Sequence, residues 1–435
     1  MAVFLHDALL VDYDPPQVRR GGLRADRGLI VAAGSDARSE PGDEVVDCGG
    51  AVVMPGLVNG HAHVYSALAP GMPAPPKTPR NFPEILQYVW WRLDRALDAE
   101  SIEVSGLVGA LDALRHGTTT VIDHHASPNC IVNSLDMLER GLRRVGLRGV
   151  LCYEVTDRNG AEGAAAGVAE NRRYAGLCHR RGDGQFAGMI GAHASFTVGD
   201  ETLAALAEAV RDTGVGLHIH VAEDRCDDEA SRREYGASAI ERLERAGLLT
   251  PQALLAHCIH LSDQDRAAVA KGGATVAHNP RSNMNNGVGY ARVSTFGDAV
   301  ALGTDGIGND MQAEARFAWF KSCDTEGGLA PNRIMHMLGK AARRAGESLG
   351  LLLGRLEPGA AADVVLTDYR PATPLKTENL AGHLLFGMDG THIRDVMIAG
   401  RWCLRAGQVC CVDAVDETDR ARATANDLWR RMASL

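Results

Sequence analysis

The sequence predicts an α/β protein, a TIM-type (β/α)8 barrel with a small β-sandwich built from both chain ends. In the middle of the chain, eight short apolar runs alternate with helical stretches, which is typical of βαβ units and a parallel sheet. Both ends are rich in short β segments that cannot bury two faces alone. With 435 residues, the chain suits a large barrel with an accessory piece.

The predicted sandwich has two parts, residues 1–54 and residues 356–411. The first contains AVFLHDALLV, GLRADRGLIVAAGS and DEVVDCGG, and the second contains LEPGAAADVVLTD and IRDVMIAGRWCLRAGQVCCVD. Such runs, separated by turn residues, predict strands. We expect the two parts to pair, with a barrel of residues 55–355 inserted between them. An amphipathic helical tail is predicted over residues 412–435.

Barrel strands are predicted where apolar runs end at polar or turn residues. They are residues 53–58, 119–123, 149–153, 189–193, 216–221, 254–257, 275–278 and 299–304. Helices are predicted over residues 83–97, 102–116, 134–145, 200–211, 231–246, 263–271 and 309–323. We expect the Gly/Ala-rich residues 159–168 to form a loop leading into a helix, and the Pro-rich residues 70–82 to lie over the mouth.

Composition excludes several classes of partner. The formal net charge of −10 argues against nucleic acid and against anionic membranes. No apolar run is long enough to span a bilayer. The ten cysteines contain no C-x-x-C pair, and MAVFLHDALLVDYDP carries early acidic residues without a basic leader. We therefore expect reduced thiols and a cytoplasmic protein.

Histidines concentrate at the predicted strand ends. His61 and His63 face the same way on an extended strand, because side chains alternate with period two. Alone, this H-x-H spacing also occurs by chance. Most of the 16 histidines nevertheless lie at these ends, namely His61, His63, His124, His125, His193, His218, His220, His257, His260 and His278. Since the carboxyl ends of barrel strands share one mouth, the pattern predicts a metal site there.

Two acidic residues complete this hypothesis. In HIHVAED, His220 lies nearer the mouth than His218 and is followed by Glu223. A ligand and a carboxylate at this separation can flank one water, the first binding the metal and the second taking the water's proton. Asp305 follows an apolar run beside glycine and can be a hard anionic ligand. His257 suits a hydrogen bond to the water or the developing oxyanion, or else a supporting role in the core.

Several motifs carry a family resemblance over nearly the whole chain. MPGLVNGHAH, GTTTVIDHHASP, HIHVAED, AHCIHL and LGTDG resemble the amidohydrolase superfamily, in the branch of cytosine, guanine and S-adenosylhomocysteine deaminases and triazine chlorohydrolases. Within that branch, NGHAHVYSALAPGM, YVWWRLD and IDHHASP are most similar to the SsnA-type aminohydrolases.

The resemblance implies a role for each matching residue. The metal ligands would be His61, His63, His220 and Asp305, and the catalytic residues would be Glu223, His257 and Asp305. Members with two metals often use a bridging lysine after strand four, where this chain reads IGAHASF without a lysine. The resemblance therefore implies one divalent metal, Zn²⁺ first and Fe²⁺ as the alternative.

The implied reaction is hydrolysis of a C–N bond in a small nitrogen heterocycle, such as a purine, pyrimidine, pterin or triazine. A metal-bound hydroxide would attack the ring carbon, and Glu223 would pass the water proton to the leaving amine. Cyclic-amide opening and chlorohydrolase chemistry at the same site stay open as alternatives. A barrel without catalytic activity is the third hypothesis, which the complete ligand set and Glu223 disfavour.

Substrate contacts are predicted from position at the mouth. They are Trp91, His124, His193, Asn279 and Ser282. Trp91 would stack on the ring or, equally well, pack in the core. On the family resemblance we also expect a homo-oligomer.

Overall fold

Three hydrogen-bonded sheets organise the computed structural model, which describes residues 2–435. The strands are β1 (Val3–Tyr13), β2 (Pro16–Asp26), β3 (Leu29–Gly34), β4 (Glu44–Asp47), β5 (Val52–Pro55), β6 (Leu57–Ala62), β7 (Thr118–His125), β8 (Arg148–Tyr153), β9 (Phe186–Gly188), β10 (Ile190–Ala194), β11 (Leu217–Val221), β12 (Leu254–His257), β13 (Thr275–His278), β14 (Val300–Leu302), β15 (Val364–Thr367), β16 (Ile393–Ile398), β17 (Arg401–Arg405) and β18 (Gln408–Val409). The α-helices are α1 (Phe82–Ile85), α2 (Trp91–Ala96), α3 (Ala99–Arg115), α4 (Ser134–Val145), α5 (Ala161–Arg181), α6 (Asp200–Thr213), α7 (Arg225–Tyr235), α8 (Ala239–Arg245), α9 (Asp263–Gly272), α10 (Pro280–Asn286), α11 (Met311–Glu326), α12 (Pro331–Leu349), α13 (Leu380–Gly382) and α14 (Ala414–Ala433).

The two ends of the chain meet in one mixed sheet. Its order is β18-β17-β16-β15-β5-β1-β2-β3, with β4 paired to β1. Strand β5 is the joint, because it runs parallel to β1 and antiparallel to β15, with Met54 opposite Val365. Alternate residues of β5 face opposite ways: Val53 joins a core shared by both chain ends, whereas Val52 and Met54 join the main core.

The central part of the chain is a TIM-like α/β fold. Strands β6 to β9 form one parallel sheet, strands β10 to β14 form a second, and helices separate most of them in sequence. The sheets approach each other at two bridges, Ala62 with Asp305 and Val155 with Ala192. Only Met189 separates β9, which pairs with β8, from β10, which pairs with β11.

Three predicted elements differ from the structure. The predicted strand over residues 53–58 is two strands, because the chain leaves the end sheet at β5 and enters the parallel sheet at β6. The predicted loop over residues 159–168 was wrong, since α5 begins at Ala161. The predicted helix over residues 231–246 is divided: Gly236 ends α7 at φ 64°, and the Ser238 side chain caps α8.

The C-terminal helix α14 packs against the segments that follow β6. Leu428 is fully buried, and the indole Nε1 of Trp429 donates to the Leu68 carbonyl at 3.0 Å. Arg431 donates to the Ala96 carbonyl at 2.7 Å. These contacts attach the tail beside the first loop of the mouth. Among the described helices, we find none that is both long and apolar enough to cross a membrane.

Candidate metal centre and active site

Four side chains from three strand ends converge at the mouth of the parallel sheets. His61 and His63 come from the end of β6, His220 from β11 and Asp305 from the loop after β14. The carbonyl of His61 accepts hydrogen bonds from the amides of Thr304 and Asp305, both at 2.9 Å, which joins the first and last of these segments. Ligand-type atoms of the four side chains all lie within 4.8 Å of one another.

Hydrogen bonds to backbone carbonyls orient two of the imidazoles. Nδ1 of His63 lies 2.6 Å from the His124 carbonyl, and Nδ1 of His220 lies 2.9 Å from the His193 carbonyl. Since a carbonyl only accepts, each Nδ1 carries a proton, and a neutral ring then has its lone pair on Nε2. The two Nε2 atoms are 3.0 Å apart. Two lone pairs at this distance repel each other unless a positive charge joins them.

The electrostatics of the group favour a cation as well. Burial lowers the pKa of His61 to about 3, so that this ring is neutral, and its Nε2 is buried with no hydrogen-bond partner among the described residues. Burial also lowers the pKa of His63, but the Asp305 carboxylate at 3.0 Å more than offsets it and raises that pKa to about 9. A group that attracts a proton so strongly fits a divalent ion, and three imidazoles with one carboxylate are a suitable donor set.

Glu223 and His257 lie beside these four residues. Oε2 of Glu223 is 3.5 Å from Nε2 of His257, and Oε1 accepts a hydrogen bond from Asn286 at 3.2 Å. Burial raises the pKa of Glu223 to about 7. A carboxyl group with this pKa can both take and return a proton near neutral pH.

His257 is held in a strained conformation with its second nitrogen toward the group. Its φ is 72°, and that of Asp305 is 57°, both in the left-handed region that side chains other than glycine seldom adopt. Nδ1 of His257 donates to Oδ1 of Asn283 at 2.8 Å, leaving Nε2 buried between Glu223 and Asp305, 3.8 Å from Oδ2 of the latter. Such strain is typical of functional sites.

A cavity opens beside the group, and the predicted substrate residues divide around it. Trp91, His193 and Ser282 line it, and the Ser282 hydroxyl donates to Oδ2 of Asp305 at 2.5 Å. His124 and Asn279 are fully buried and are not among its lining residues. Their role in binding substrate stays a prediction.

The sequence analysis missed two polar residues next to the predicted group, Glu154 and Asn59, and gave Asn283 a place at a strand end without a role. Glu154 follows β8 and lines the cavity. Asn59 and Asn283 are buried and support His61 and His257 through hydrogen bonds. A signal for Glu154 exists, because an acidic residue directly follows the predicted strand over residues 149–153. No local pattern marks Asn59.

A TIM-like fold with a buried His/Asp group and a carboxyl group of raised pKa at its strand ends defines a class, the metal-dependent hydrolases. A model of the amidohydrolase family matches residues 52–403. The chain belongs to this family, and the resemblance predicted from its motifs is confirmed.

Individual relatives agree with this assignment. A 5-methylthioadenosine/S-adenosylhomocysteine deaminase of Desulforudis audaxviator is 31% identical over 421 residues, covering 94% of this chain and 95% of the relative. A 5'-deoxyadenosine deaminase of Methanosarcina mazei is 28% identical over 437 residues, covering 98% of each chain. A solved adenosine deaminase from Xanthomonas campestris with bound zinc superimposes with a TM-score of 0.83 at 22% identity, covering 100% of this chain and 99% of that one. At this identity, the last match supports the fold.

Proposed function

We propose that the protein is a metal-dependent aminohydrolase that releases ammonia from an amino-substituted nitrogen heterocycle of the purine, pyrimidine, pterin or triazine type. The observation that carries this proposal is the position of Glu223, whose pKa is raised to about 7, beside the group formed by His61, His63, His220 and Asp305. Relatives at 28–31% identity that are named as deaminases support the reaction class.

The four clustered residues would hold one divalent cation. Zn²⁺ suits three imidazoles and a carboxylate in a compact group, and Fe²⁺ is the alternative. When bound, the cation supplies the positive charge that makes a water molecule nucleophilic near neutral pH. Bound zinc in the related solved structure supports the choice of metal.

The protein's own residues would then move the protons. Glu223 takes a proton from the attacking water and delivers it to the leaving amine, for which a pKa of about 7 is suitable in both directions. His257, when protonated, donates a hydrogen bond to the attacking oxygen from Nε2, since Asn283 holds its other nitrogen. Asp305 can assist as a second proton carrier, and the Ser282 hydroxyl holds its Oδ2 atom by a hydrogen bond.

The cavity fits a flat ring. Aromatic side chains form much of its wall, namely Tyr65, Phe82, Trp90, Trp91 and Phe196. Their faces and edges can pack on a planar heterocycle and exclude water from it. We place Trp91, His193 and Ser282 nearest the substrate, with His124 and Asn279 supporting them.

We also infer that the two parallel sheets form one barrel with eight strand positions. The bridges at Ala62 with Asp305 and at Val155 with Ala192 lie where such a barrel would close. The core shared by both chain ends, which includes Leu5, Leu10 and Val364, supports a sandwich-like end domain. Residues 1–54 and 356–411 would form that domain, residues 55–355 the barrel and residues 412–435 the tail. A cytoplasmic location and a homo-oligomer stay predictions from the sequence.

The test is a screen for ammonia release by the zinc-loaded protein. Purines, adenine nucleosides, pyrimidines, pterins and triazines would be assayed, with mass spectrometry of every product. We expect ammonia from at least one class and, in Glu223→Gln, a kcat/KM lower by about 10²- to 10⁴-fold with unchanged zinc content.

Glu229→Gln is the matched control, because Glu229 is exposed on α7 in the same segment. It should leave activity unchanged. Products that keep the amine in every class, through ring opening or halide loss, would contradict the proposal. Full activity in Glu223→Gln would contradict the assigned role of Glu223.

A further inference from the structure

Glu154 is a buried carboxylate that faces the cavity without a donor of its own. It follows β8 directly, and its amide donates to the His125 carbonyl at 2.7 Å. The residue is 4% exposed and lines the cavity. Among the described residues, the basic side-chain nitrogens within 4.0 Å of its oxygens belong to His124 at 3.4 Å, His193 at 3.7 Å and His63 at 4.0 Å.

The hydrogen bonds of His124 and His193 show that these rings present lone pairs to Glu154. Nε2 of His124 donates to the His218 carbonyl at 3.2 Å, which leaves Nδ1 toward Glu154. Nδ1 of His193 donates to the Thr197 hydroxyl at 2.7 Å, whose own proton goes to the Ala194 carbonyl. In the neutral tautomers that these hydrogen bonds indicate, the nitrogens that face Glu154 are therefore acceptors.

Other acidic residues on the cavity wall have partners within the protein. Asp227 accepts hydrogen bonds from the amides of Phe196 and Ala222, at 2.9 and 2.7 Å. Asp224 caps helix α7. Asp94 is ion-paired with a partly buried arginine, Arg158. The residues that line the cavity include no lysine or arginine, so the wall near Glu154 disfavours anionic groups.

A second metal ion is a poor explanation for this arrangement. His63, His124, Glu154 and His220 do lie close enough to be considered as a ligand set. However, His63 and His220 each have a single lone pair, on Nε2, and the two Nε2 atoms already face each other in the first group. Removing them leaves too few ligands for a second ion. A substrate in the cavity can instead supply N–H donors to Glu154.

We propose that Glu154, with His124 and His193, forms an acceptor subsite for an amidine- or guanidine-type edge of the substrate, meaning two adjacent N–H groups on the ring. A carboxylate pairs with two parallel N–H donors in a bidentate manner. This inference rests on the proposed function and narrows its substrate class to heterocycles that keep such a donor edge. The short distance to His63 places the subsite beside the reacting ring rather than beside a remote sugar.

Binding tests the subsite, measured throughout in the Glu223→Gln background so that turnover is slowed during the titration. The zinc-loaded protein would be titrated with a diaminopyrimidine and with uracil, whose ring carries carbonyls in place of the amines, using the fluorescence of Trp90 and Trp91 in the cavity wall. We expect the diaminopyrimidine to bind at least tenfold more tightly than uracil. In Glu154→Gln, whose amide adds a donor, this ratio should fall at least tenfold.

Asp224→Asn is the matched control, since it removes one negative charge from the same wall while asparagine can still cap α7. Its binding ratio should equal that of the wild type. The inference is overturned if Glu154→Gln keeps the wild-type ratio. Adenine and adenosine would be titrated as well, and a Glu154→Gln variant that weakens only adenosine binding would assign the subsite to a sugar. The inference is also overturned if the wild type binds two zinc ions and Glu154→Gln binds one. Because the test measures binding and not ammonia release, its outcome can be interpreted even if the ammonia screen is negative.

Discussion

Asn59 shows how one buried side chain can connect two ends of a metal site. Its amide nitrogen donates to the Thr304 hydroxyl at 2.6 Å and to Asn309 at 3.0 Å, and its oxygen accepts from the amides of His61 and Thr304, at 3.3 and 3.1 Å. The residue is fully buried. It therefore fixes the segment carrying His61 and His63 against the segment carrying Asp305.

Replacing Asn59 should affect both stability and metal binding. In Asn59→Ala, the buried His61 amide loses its acceptor and Asn309 loses a donor, whereas the Thr304 amide keeps the His61 carbonyl. We expect the free energy of unfolding to fall by about 3 kcal/mol. Zinc affinity should fall by about 10- to 100-fold, because the ligands lose their orienting contact. Urea unfolding and a zinc titration against a chromophoric chelator measure the two effects.

Asn129→Ala is the control, since Asn129 is exposed and donates one hydrogen bond, to Arg95. Its unfolding free energy should change by no more than about 0.5 kcal/mol. Wild-type zinc affinity in Asn59→Ala would show that the connection does not orient the ligands.

At the scale of elements, the end of helix α3 carries a charged contact beneath the mouth. His116 caps this helix, and its ring lies 3.2 Å from Asp112 and 3.8 Å from Asp310. The hydrogen bond to Asp112, with the charge of Asp310, raises the pKa of His116 from 6.5 to about 9. Asp112 also accepts from the Asn309 amide, so the contact joins α3 to the loop that precedes α11.

The pH dependence of stability should report this contact. A pKa that is higher in the folded than in the unfolded state contributes stability that is fully present below about pH 6.5 and is lost as the pH rises through about 9. The difference in unfolding free energy between wild type and His116→Gln should therefore be largest near pH 6 and disappear above pH 9. Denaturant unfolding across this range measures it.

His179→Gln provides the comparison, because His179 is exposed on α5. Unlike His116, it forms no ion pair with a carboxylate of the described residues. Its difference from wild type should stay flat over the same pH range. A flat profile for His116→Gln would refute the contribution assigned to the α3 cap.

At the scale of the whole molecule, the candidate metal centre links elements far apart in sequence. Its residues come from β6, β11 and the loop after β14, so a bound cation would hold both parallel sheets together. An ion that binds the folded chain alone also stabilises that state by mass action.

Zinc should therefore raise global stability. At a free concentration a thousandfold above its Kd, it should increase the free energy of unfolding by about 4 kcal/mol, seen as a higher Tm in a thermal scan that chelation reverses. In His63→Ala, which loses one of four clustered ligands, zinc should give almost no shift. Equal Tm values for wild type with and without zinc would contradict a native metal site.

The predicted ligands illustrate what could be read from local pattern. His61 and His63 share a strand face through period two, and His220 lies near the end of β11. Glu223 and Asp305 lie two and three residues after β11 and β14. Strand ends and their residues follow from short-range rules, as does the α/β alternation. Glu154 obeys the same rule and could have been found. Asn59 could not, because its partners are 245 and 250 residues away.

The sequence by itself determined the fold class, the family and the candidate ligands, because hydrophobic periodicity and short motifs act over a few residues. Tertiary structure alone decided which lone pairs meet at 3.0 Å, which carboxyl group acquires a pKa of about 7 and which one faces the cavity without a donor. The physical reason is that burial, tautomer and charge pairing depend on neighbours brought together from distant segments. His61 and His63 thus form half of a group suited to a cation only because His220 on β11 and Asp305 after β14 lie beside them.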